Sequence, residues 1–400
     1  LASAFLDPFA EVPTIAMTGD VMVIDRPHNR PFEQYPRNVA RCALEYMRRT
    51  GVADEMIIGP EFEFNVFDAV NFETGPGRVS CEIVSGEAGW DGGSNGQALP
   101  RQGGYHADKP QDSTSDLRSR MCLYMENAGI PVKYHHHEVG GCGQLEIEVE
   151  LCGMAKMADD TMTIKYIIKN EAARAGKTAT FMPKPVLGEA GNGMHVHMLL
   201  LKNGKPVFFD EAGYAQLSET ALFFIGGLLR HARALCGITN PSTNSFRRLV
   251  PGFEAPVTIG YAMANRSAVI RIPAYAKSPE VKRFELRNPD ATCNPYYAYA
   301  AMLMAGLDGI AERIDPRSCG WGPFDCNLYD LSPEEKAKID SLPTTLPEAL
   351  DALEQDHAFL TAGGVFPERL IKIWIERKRR EAEAVERVPH PAEFERYYDL

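Results

Sequence analysis

The sequence predicts an α+β fold, a largely antiparallel sheet flanked by helices. Period-two alternation of polar and apolar residues recurs in short segments, most clearly 59–64 and 144–150. Longer segments with helical periodicity lie between and after them. The two kinds are interspersed without the regular strand–helix–strand rhythm of a parallel sheet, and no repeat at solenoid spacing is present.

In chain order, a β-prone run over 14–24 comes first. The chain opens at Leu1 without a methionine, so residues 1–30 are expected to be the remnant of an N-terminal portion and its connection, with 31–400 as the main domain. Apolar residues at helical spacing over 36–50 stop at Gly51, a residue common just past a helix end. Residues 68–111 are rich in glycine and weakly periodic and are expected to form loops. Ser115 is placed to cap a helix over 115–127, and a second helix is expected over 154–175. Strands are expected at 145–151, 194–201, 268–273 and 283–287, and helices at 218–235, 295–314 and 367–387. Pro295 and Pro367 suit a first helical turn, where no hydrogen bond is lost.

Composition excludes several classes. Of 400 residues, 44% are hydrophobic and 24% charged, which is the balance of an ordered globular chain. A net charge of −12 argues against nucleic acid or an anionic membrane as partner. No apolar run approaches a membrane span, and no leader pattern is present. Nine cysteines without a CxxC pair read as reduced thiols in a cytoplasmic setting.

The chemistry concentrates on polar strand faces. Glu61 and Glu63 share one face of Gly-Pro-Glu-Phe-Glu-Phe, with Phe62 and Phe64 on the other. Side-by-side carboxylates repel unless a cation or a proton relieves them, although this hexapeptide alone favours an edge strand with a solvated acidic face. Glu146, Glu148 and Glu150 repeat the pattern, Glu138 follows three histidines, and His195 and His197 share a face. Each has a bland reading as a wet strand face. Together they form an oxygen-rich, thiolate-free ligand set that suits Mg²⁺ or Mn²⁺. Arg247, Arg248, Arg266, Arg271, Arg283 and Arg287 cluster between residues 247 and 287, and their planar forks suit phosphate and carboxylate. Metals beside arginines are the parts phosphoryl transfer needs, and no P-loop or protein-kinase signature is present.

Gly-Pro-Glu-Phe-Glu-Phe, His-His-His-Glu-Val, Phe-Met-Pro-Lys-Pro at 181–185, Gly-Asn-Gly-Met-His at 191–195, Asn-Ser-Phe-Arg-Arg-Leu-Val-Pro-Gly at 244–252 and Arg-Phe-Glu-Leu-Arg at 283–287 resemble the motifs of bacterial type I glutamine synthetase. The resemblance runs in order over 7–400. It implies the catalytic domain of that family, with a curved antiparallel sheet and an N-terminal β-grasp domain mostly absent. It also implies ATP-dependent joining of ammonia to glutamate through an acyl phosphate. Glu63, Glu138 and Glu146 would hold one metal and Glu61, His195 and Glu285 a second, giving two or more Mg²⁺ or Mn²⁺ per subunit with ATP as co-substrate. Gly191, Arg248, Glu254, Arg266 and Arg287 would bind glutamate. Arg266, Glu254 and Tyr105 would serve catalysis, Glu254 as proton acceptor and Tyr105 in the ammonium pocket.

The nucleotide side would take His197, Arg266, Arg271, Arg283 and Lys133, although Lys133 stands where the family has an ATP-contacting glutamate. Leu199 and Ala190 likewise replace a serine and an asparagine. Tyr329 matches a tyrosine that an adenylyltransferase modifies in regulated members, with Cys326 in place of the preceding lysine. The family assembles as a dodecamer of two hexameric rings. Two other functions are weighed: a ligase joining glutamate to a larger amine such as methylamine or a polyamine, and an inactive structural relative. The six filled ligand positions argue against the second.

Overall fold

The computed structural model describes residues 3–25, 27–90, 96–253, 255–326, 332, 334 and 339–399. Among them, ten strands form one sheet whose main path runs Thr258–Met263, Ala268–Ile272, Phe284–Leu286, Val196–Lys202, Glu55–Phe67, Gln144–Val149 and Val132–His137. Only the first pair on that path is parallel. The expected α+β architecture is the observed one.

Strand Glu55–Phe67 is the middle of this sheet, not an edge. Its Phe62 and Phe64 are fully buried, as are Leu145 and Ile147 beside them on Gln144–Val149. Glu61 and Glu63 on the opposite face are buried too, so the solvated acidic face that the hexapeptide alone favours is not what forms. Both sides of the strand are covered, one by helices and one by the cleft wall.

Helix Pro36–Thr50 starts on its proline and ends at Gly51, whose φ of 73° is left-handed and costs glycine little. Helix Pro295–Ala311 is capped by the Asn294 side chain, which accepts from the Tyr296 and Tyr297 N–H groups at 3.1 and 3.3 Å. Nearly all of its residues are buried, which makes it the central core helix. It crosses helix Glu219–Arg230 so closely that a Cβ on Gly227 would stand 2.1 Å from the Ala305 carbonyl oxygen.

Three expectations are corrected. The region 68–111 contains a hairpin, Ala69–Gly75 paired with Arg78–Val84, because enough β-branched and aromatic residues alternate there to zip two strands. Thr114, not Ser115, sits at the N-cap of helix Ser115–Asn127, with no side-chain cap bond. The helix expected over 218–235 is two, Glu219–Arg230 and Ala232–Thr239, bent by 72°. No single described helix is long and apolar enough to cross a membrane.

His231 stands at that bend. Its Nε2 lies 2.9 Å from Asp308 Oδ2 and its Nδ1 2.8 Å from Asp356 Oδ2, while the ring stacks on Phe359 at 4.0 Å. Two carboxylate acceptors require both ring nitrogens to carry protons. Burial opposes that charge, but the two carboxylates outweigh it and hold the His231 pKa above the ordinary value. The unfolded ring titrates near ~6.5, so the stabilisation is complete below that pH and is lost as pH rises through the higher folded value. His231→Gln should therefore cost about 1–2 kcal/mol near pH ~6 and less near pH ~9, half-exposed Asp356 being partly screened. Urea unfolding of both proteins at the two pH values checks this, and an equal gap at both would show a neutral ring.

Candidate active site

Strand register assembles the site. Across Glu55–Phe67 and Gln144–Val149, Glu61 faces Glu148 and Glu63 faces Glu146. One strand further, Glu146 faces His136. On the other side His197 faces both Gly59 and Glu285, and Glu285 faces Arg271. Directly opposed residues share a face, so acids, imidazoles and an arginine lie in rows on one side of the sheet. Glu61, Glu63, His136, Glu146, Arg271 and Glu285 wall a cleft of about 790 Å³, counting its solvent-filled mouth, which Glu148 and His197 do not line.

Three groups of ligand-type side chains lie on this face, each with donor atoms within 4.8 Å: Glu61, His195 and Glu285; His136, Glu138 and Glu146; and, behind the cleft lining apart from Glu61, Glu61, Glu148 and His197. The first is the trio expected for one metal. His195 Nδ1 donates to Glu61 Oε2 at 2.9 Å and lies 3.4 Å from Glu285 Oε1. For the other expected trio, Glu138 and Glu146 are brought together with His136, which lies 3.4 Å from Glu146 Oε1. Glu63 faces Glu146 in register, accepts from the Gly193 N–H at 2.6 Å and lies 3.6 Å from His195 Nε2.

The electrostatics differ along the row. Burial would raise the Glu61 carboxyl, but hydrogen bonds from His195 and His197 hold it well below the usual range. Glu285 is likewise lowered: burial and the Glu61 charge oppose ionisation, and His197, Arg287 and His195 overcome them. Glu146 goes the other way, pushed well up by burial and by the charges of Glu61, Glu138 and Glu63. Burial also lowers His136, which keeps its ring neutral and able to ligate. A divalent cation among these groups would relieve the carboxylate repulsion that raises Glu146, and the oxygen and imidazole donors fit such an ion.

The basic residues are held close by. Arg271 pairs with Glu285 at 2.8 Å and Arg287 with the same carboxylate at 3.0 Å. Arg287 also donates to the Arg266 carbonyl, and both side chains line the cleft. Arg248 donates to the carbonyls of Asn288, Pro289 and Arg287 at 2.9, 3.2 and 3.1 Å. Gly191 presents its carbonyl to Gln144 Nε2 at 2.9 Å, and a Cβ there would meet the Pro183 oxygen at 2.4 Å. Tyr105 stands at the cleft, its ring 5.4 Å from that of His136. His197 Nε2 donates to Glu61 Oε1 at 2.9 Å, and Lys133 pairs with Glu148 at 2.5 Å. Arg283 does not line the cleft; it donates to the Val281 carbonyl at 3.0 Å and approaches Tyr275, which does line it. Glu254 and Tyr329 lie outside the described residues.

Comparison with known proteins decides the family. A family model described as glutamine synthetase, catalytic domain, matches residues 33–397. The chain belongs to the glutamine synthetase family. It is 46% identical over 405 residues to a glutamine synthetase of Streptomyces filamentosus and 47% identical over 405 residues to one of Frankia alni. Each alignment takes in all of this chain and 85% and 84% of the relative. The cryoEM structure of Plasmodium falciparum glutamine synthetase superposes with a TM-score of 0.87 at 29% identity, covering 99% of this chain and 84% of that one. A GmaS/ADP complex superposes with a TM-score of 0.76 at 28% identity, covering 93% and 79%.

Sequence reasoning passed over His136 because three consecutive histidines give no parity of their own. Its position opposite Glu146 depends on a register shift in strand Val132–His137 that no residue pattern announces. Buried Glu189 was also missed; it accepts from the N–H groups of Gln102 and Gly141 at 3.0 and 3.2 Å and so ties the Tyr105 loop to the cleft wall.

Mn²⁺ at about 100 times its Kd should stabilise the wild-type fold by about 2.7 kcal/mol per site. Glu61→Gln and Glu285→Gln should each lose most of that gain, in addition to a lower cation-free stability, because each leaves buried basic partners without their carboxylate. Thermal unfolding with and without Mn²⁺ checks this; a full Mn²⁺ response in both variants would overturn the grouping.

Proposed function

We propose that this cleft makes L-glutamine from L-glutamate and ammonia with cleavage of ATP to ADP and phosphate, a ligase reaction of nitrogen assimilation. The observation that carries the reading is one cleft joining buried carboxylate–imidazole groups to Arg248, Arg266, Arg271 and Arg287, in a chain 46–47% identical along its length to glutamine synthetases. Residues 31–400 act as the catalytic unit.

The γ-carboxylate of glutamate attacks the γ-phosphorus of ATP, ADP leaves, and ammonia then displaces phosphate from the acyl phosphate. Divalent cations, Mg²⁺ or Mn²⁺, held by Glu61, His195 and Glu285 and by Glu63, Glu138 and Glu146 would supply Lewis-acid stabilisation of the phosphate oxygens. Arg248 and Arg287 grip the carboxylates of glutamate, with the backbone of Gly191 beside them. Arg266 offsets charge on the moving phosphoryl, the role arginine forks suit best. Arg271 faces the nucleotide from the cleft, and Arg283, His197 and Lys133, which do not line it, complete the nucleotide side through Tyr275, Glu61 and Glu148. Glu254 is the proposed acceptor of a proton from the ammonium-derived nucleophile, on a segment that would shield the site. Covering matters because water would otherwise hydrolyse the acyl phosphate.

A larger amine in place of ammonia needs a wider, less cationic pocket, whereas Tyr105, which lines the cleft beside His136, matches with Glu254 the residues of the ammonia-using pattern. Phosphate release with ATP, Mg²⁺ and glutamate should respond to ammonia, with methylamine and putrescine at least about ten-fold less effective, a difference of about 1.4 kcal/mol. Equal or greater turnover with either amine would replace the ammonia reading.

The nine free cysteines suit a reducing compartment such as the cytoplasm. Tyr329, in Asn-Leu-Tyr-Asp-Leu at 327–331, is the proposed adenylylation site, served by an adenylyltransferase. Assembly is read as two stacked hexameric rings. The end of the chain, helix Pro391–Tyr397 with its His390–Glu393 capping box, leaves Phe394, Tyr397 and Tyr398 largely exposed. Aromatic residues at a chain end call for a covering surface, and a subunit of the opposite ring provides one. Deleting residues 394–400 should convert dodecamers to single rings in light scattering. An unchanged mass would show that the tail does not join the rings.

A further inference from the structure

We infer that Lys133 is a built-in cation: its ammonium neutralises a third ligand cluster, Glu61, Glu148 and His197, that would otherwise take a divalent ion. The inference rests on the two-cation reading above and adds that this chain works with two divalent ions per subunit and not three.

The cluster has the makings of a site. All three side chains are buried, with donor atoms within 4.8 Å of one another. Glu148 Oε2 and His197 Nδ1 are buried and find no hydrogen-bond partner among the described residues. Buried polar atoms are nearly always satisfied, so two orphans in one cluster mark a place built for something more than sheet pairing.

Lys133 reaches that cluster through a local irregularity. Val132 pairs with Val149 and Tyr134 with Glu148, which leaves Lys133 as an extra residue between two consecutive pairs. Strict alternation would send Lys133 and Tyr134 to opposite faces. A bulge lets both meet the same carboxylate. Lys133 Nζ lies 2.5 Å from Glu148 Oε1, and Tyr134 stands opposite Glu148 in register. The ammonium also stands 5.0 Å from the Tyr134 ring centre and 5.8 Å from that of Tyr275. A carboxylate and two aromatic faces thus hold the charge in place, and only a quarter of the side chain remains exposed.

Charge accounting gives the consequence. Glu61 already serves His195 and Glu285 in the neighbouring group, so Glu148 is the free negative charge of the third cluster. Lys133 cancels it. A divalent ion bound to Glu148 at about 2.0–2.2 Å would sit within a few ångströms of the ammonium, where like charges repel strongly in a low-dielectric wall. A glutamine at 133 would remove that repulsion, and a glutamate would add a ligand.

The experiment counts Mn²⁺ bound per subunit, without nucleotide, from the loss of the free-ion signal in electron paramagnetic resonance. Wild type should bind two, Lys133→Gln three, and Lys133→Glu three with at least a ten-fold tighter third site. The double variant Lys133→Gln/Glu148→Gln should return to two. Three ions in wild type, two in both single variants, or a third ion that survives in the double variant would each overturn the role of Lys133. A wild-type count below two would instead count against the two-cation site, while the difference between wild type and the single variants would still read Lys133 separately.

Discussion

The site depends on one buried carboxylate, Glu61. Burying an ionised carboxyl is costly unless hydrogen bonds and opposite charge offset it. Here the two oxygens each receive an imidazole, Oε2 from His195 and Oε1 from His197. Both histidines come from strand Val196–Lys202 or the residue just before it, and that strand pairs directly with the one that carries Glu61. The carboxylate therefore fixes the polar face of two neighbouring strands against each other, while Phe62 and Val196 fix the apolar face. A register slip of one residue would turn Glu61 into the helix-packed core and Phe62 into the cleft, which is why this pairing tolerates no alternative.

Much of this was legible in the sequence, because a strand has only two faces. Alternation in Gly-Pro-Glu-Phe-Glu-Phe separates Glu61 and Glu63 from Phe62 and Phe64, and the structure keeps that separation. Alternation does not say whether the polar face meets water or a cleft, and the hexapeptide's own preference for an edge was wrong for that reason. The segment 144–150 shows the same limit: Glu146 and Glu148 lie within the strand and are buried, whereas Glu150 falls past its end and is exposed. Local pattern makes the three equivalent; only the partner strands distinguish them. The resemblance to a known family, not periodicity, singled out Glu146.

Other features were illegible for physical reasons that can be named. The bulge at Lys133 needs no glycine and no unusual composition, yet it decides that Tyr134 and His136 face the acids. The hairpin over 69–84 is hidden by glycines that flank it, and its two strands pair with each other and with no other described strand. His231, at the break, is bound by Asp308 and Asp356 from far along the chain, and the helical periodicity over 218–235 runs through the break unmarked.

Charge is distributed unevenly along the cleft, and that asymmetry carries the chemistry. At one end Arg271 and Arg287 both face Glu285, and Arg248 donates to three backbone carbonyls, so positive charge is anchored by the sheet itself. At the other end Glu138 and Glu146 stand beside a neutral His136, and the Glu146 carboxyl is driven well up by its neighbours. An anion such as a substrate carboxylate or phosphate is drawn to the first end, and a cation to the second. Glu61 and Glu285 lie between, Glu61 bonded to His195 and His197 and Glu285 to Arg271 and Arg287. Ligands of opposite charge are thereby held adjacent rather than merged, which is the arrangement that moving a phosphoryl group from one anion to another requires.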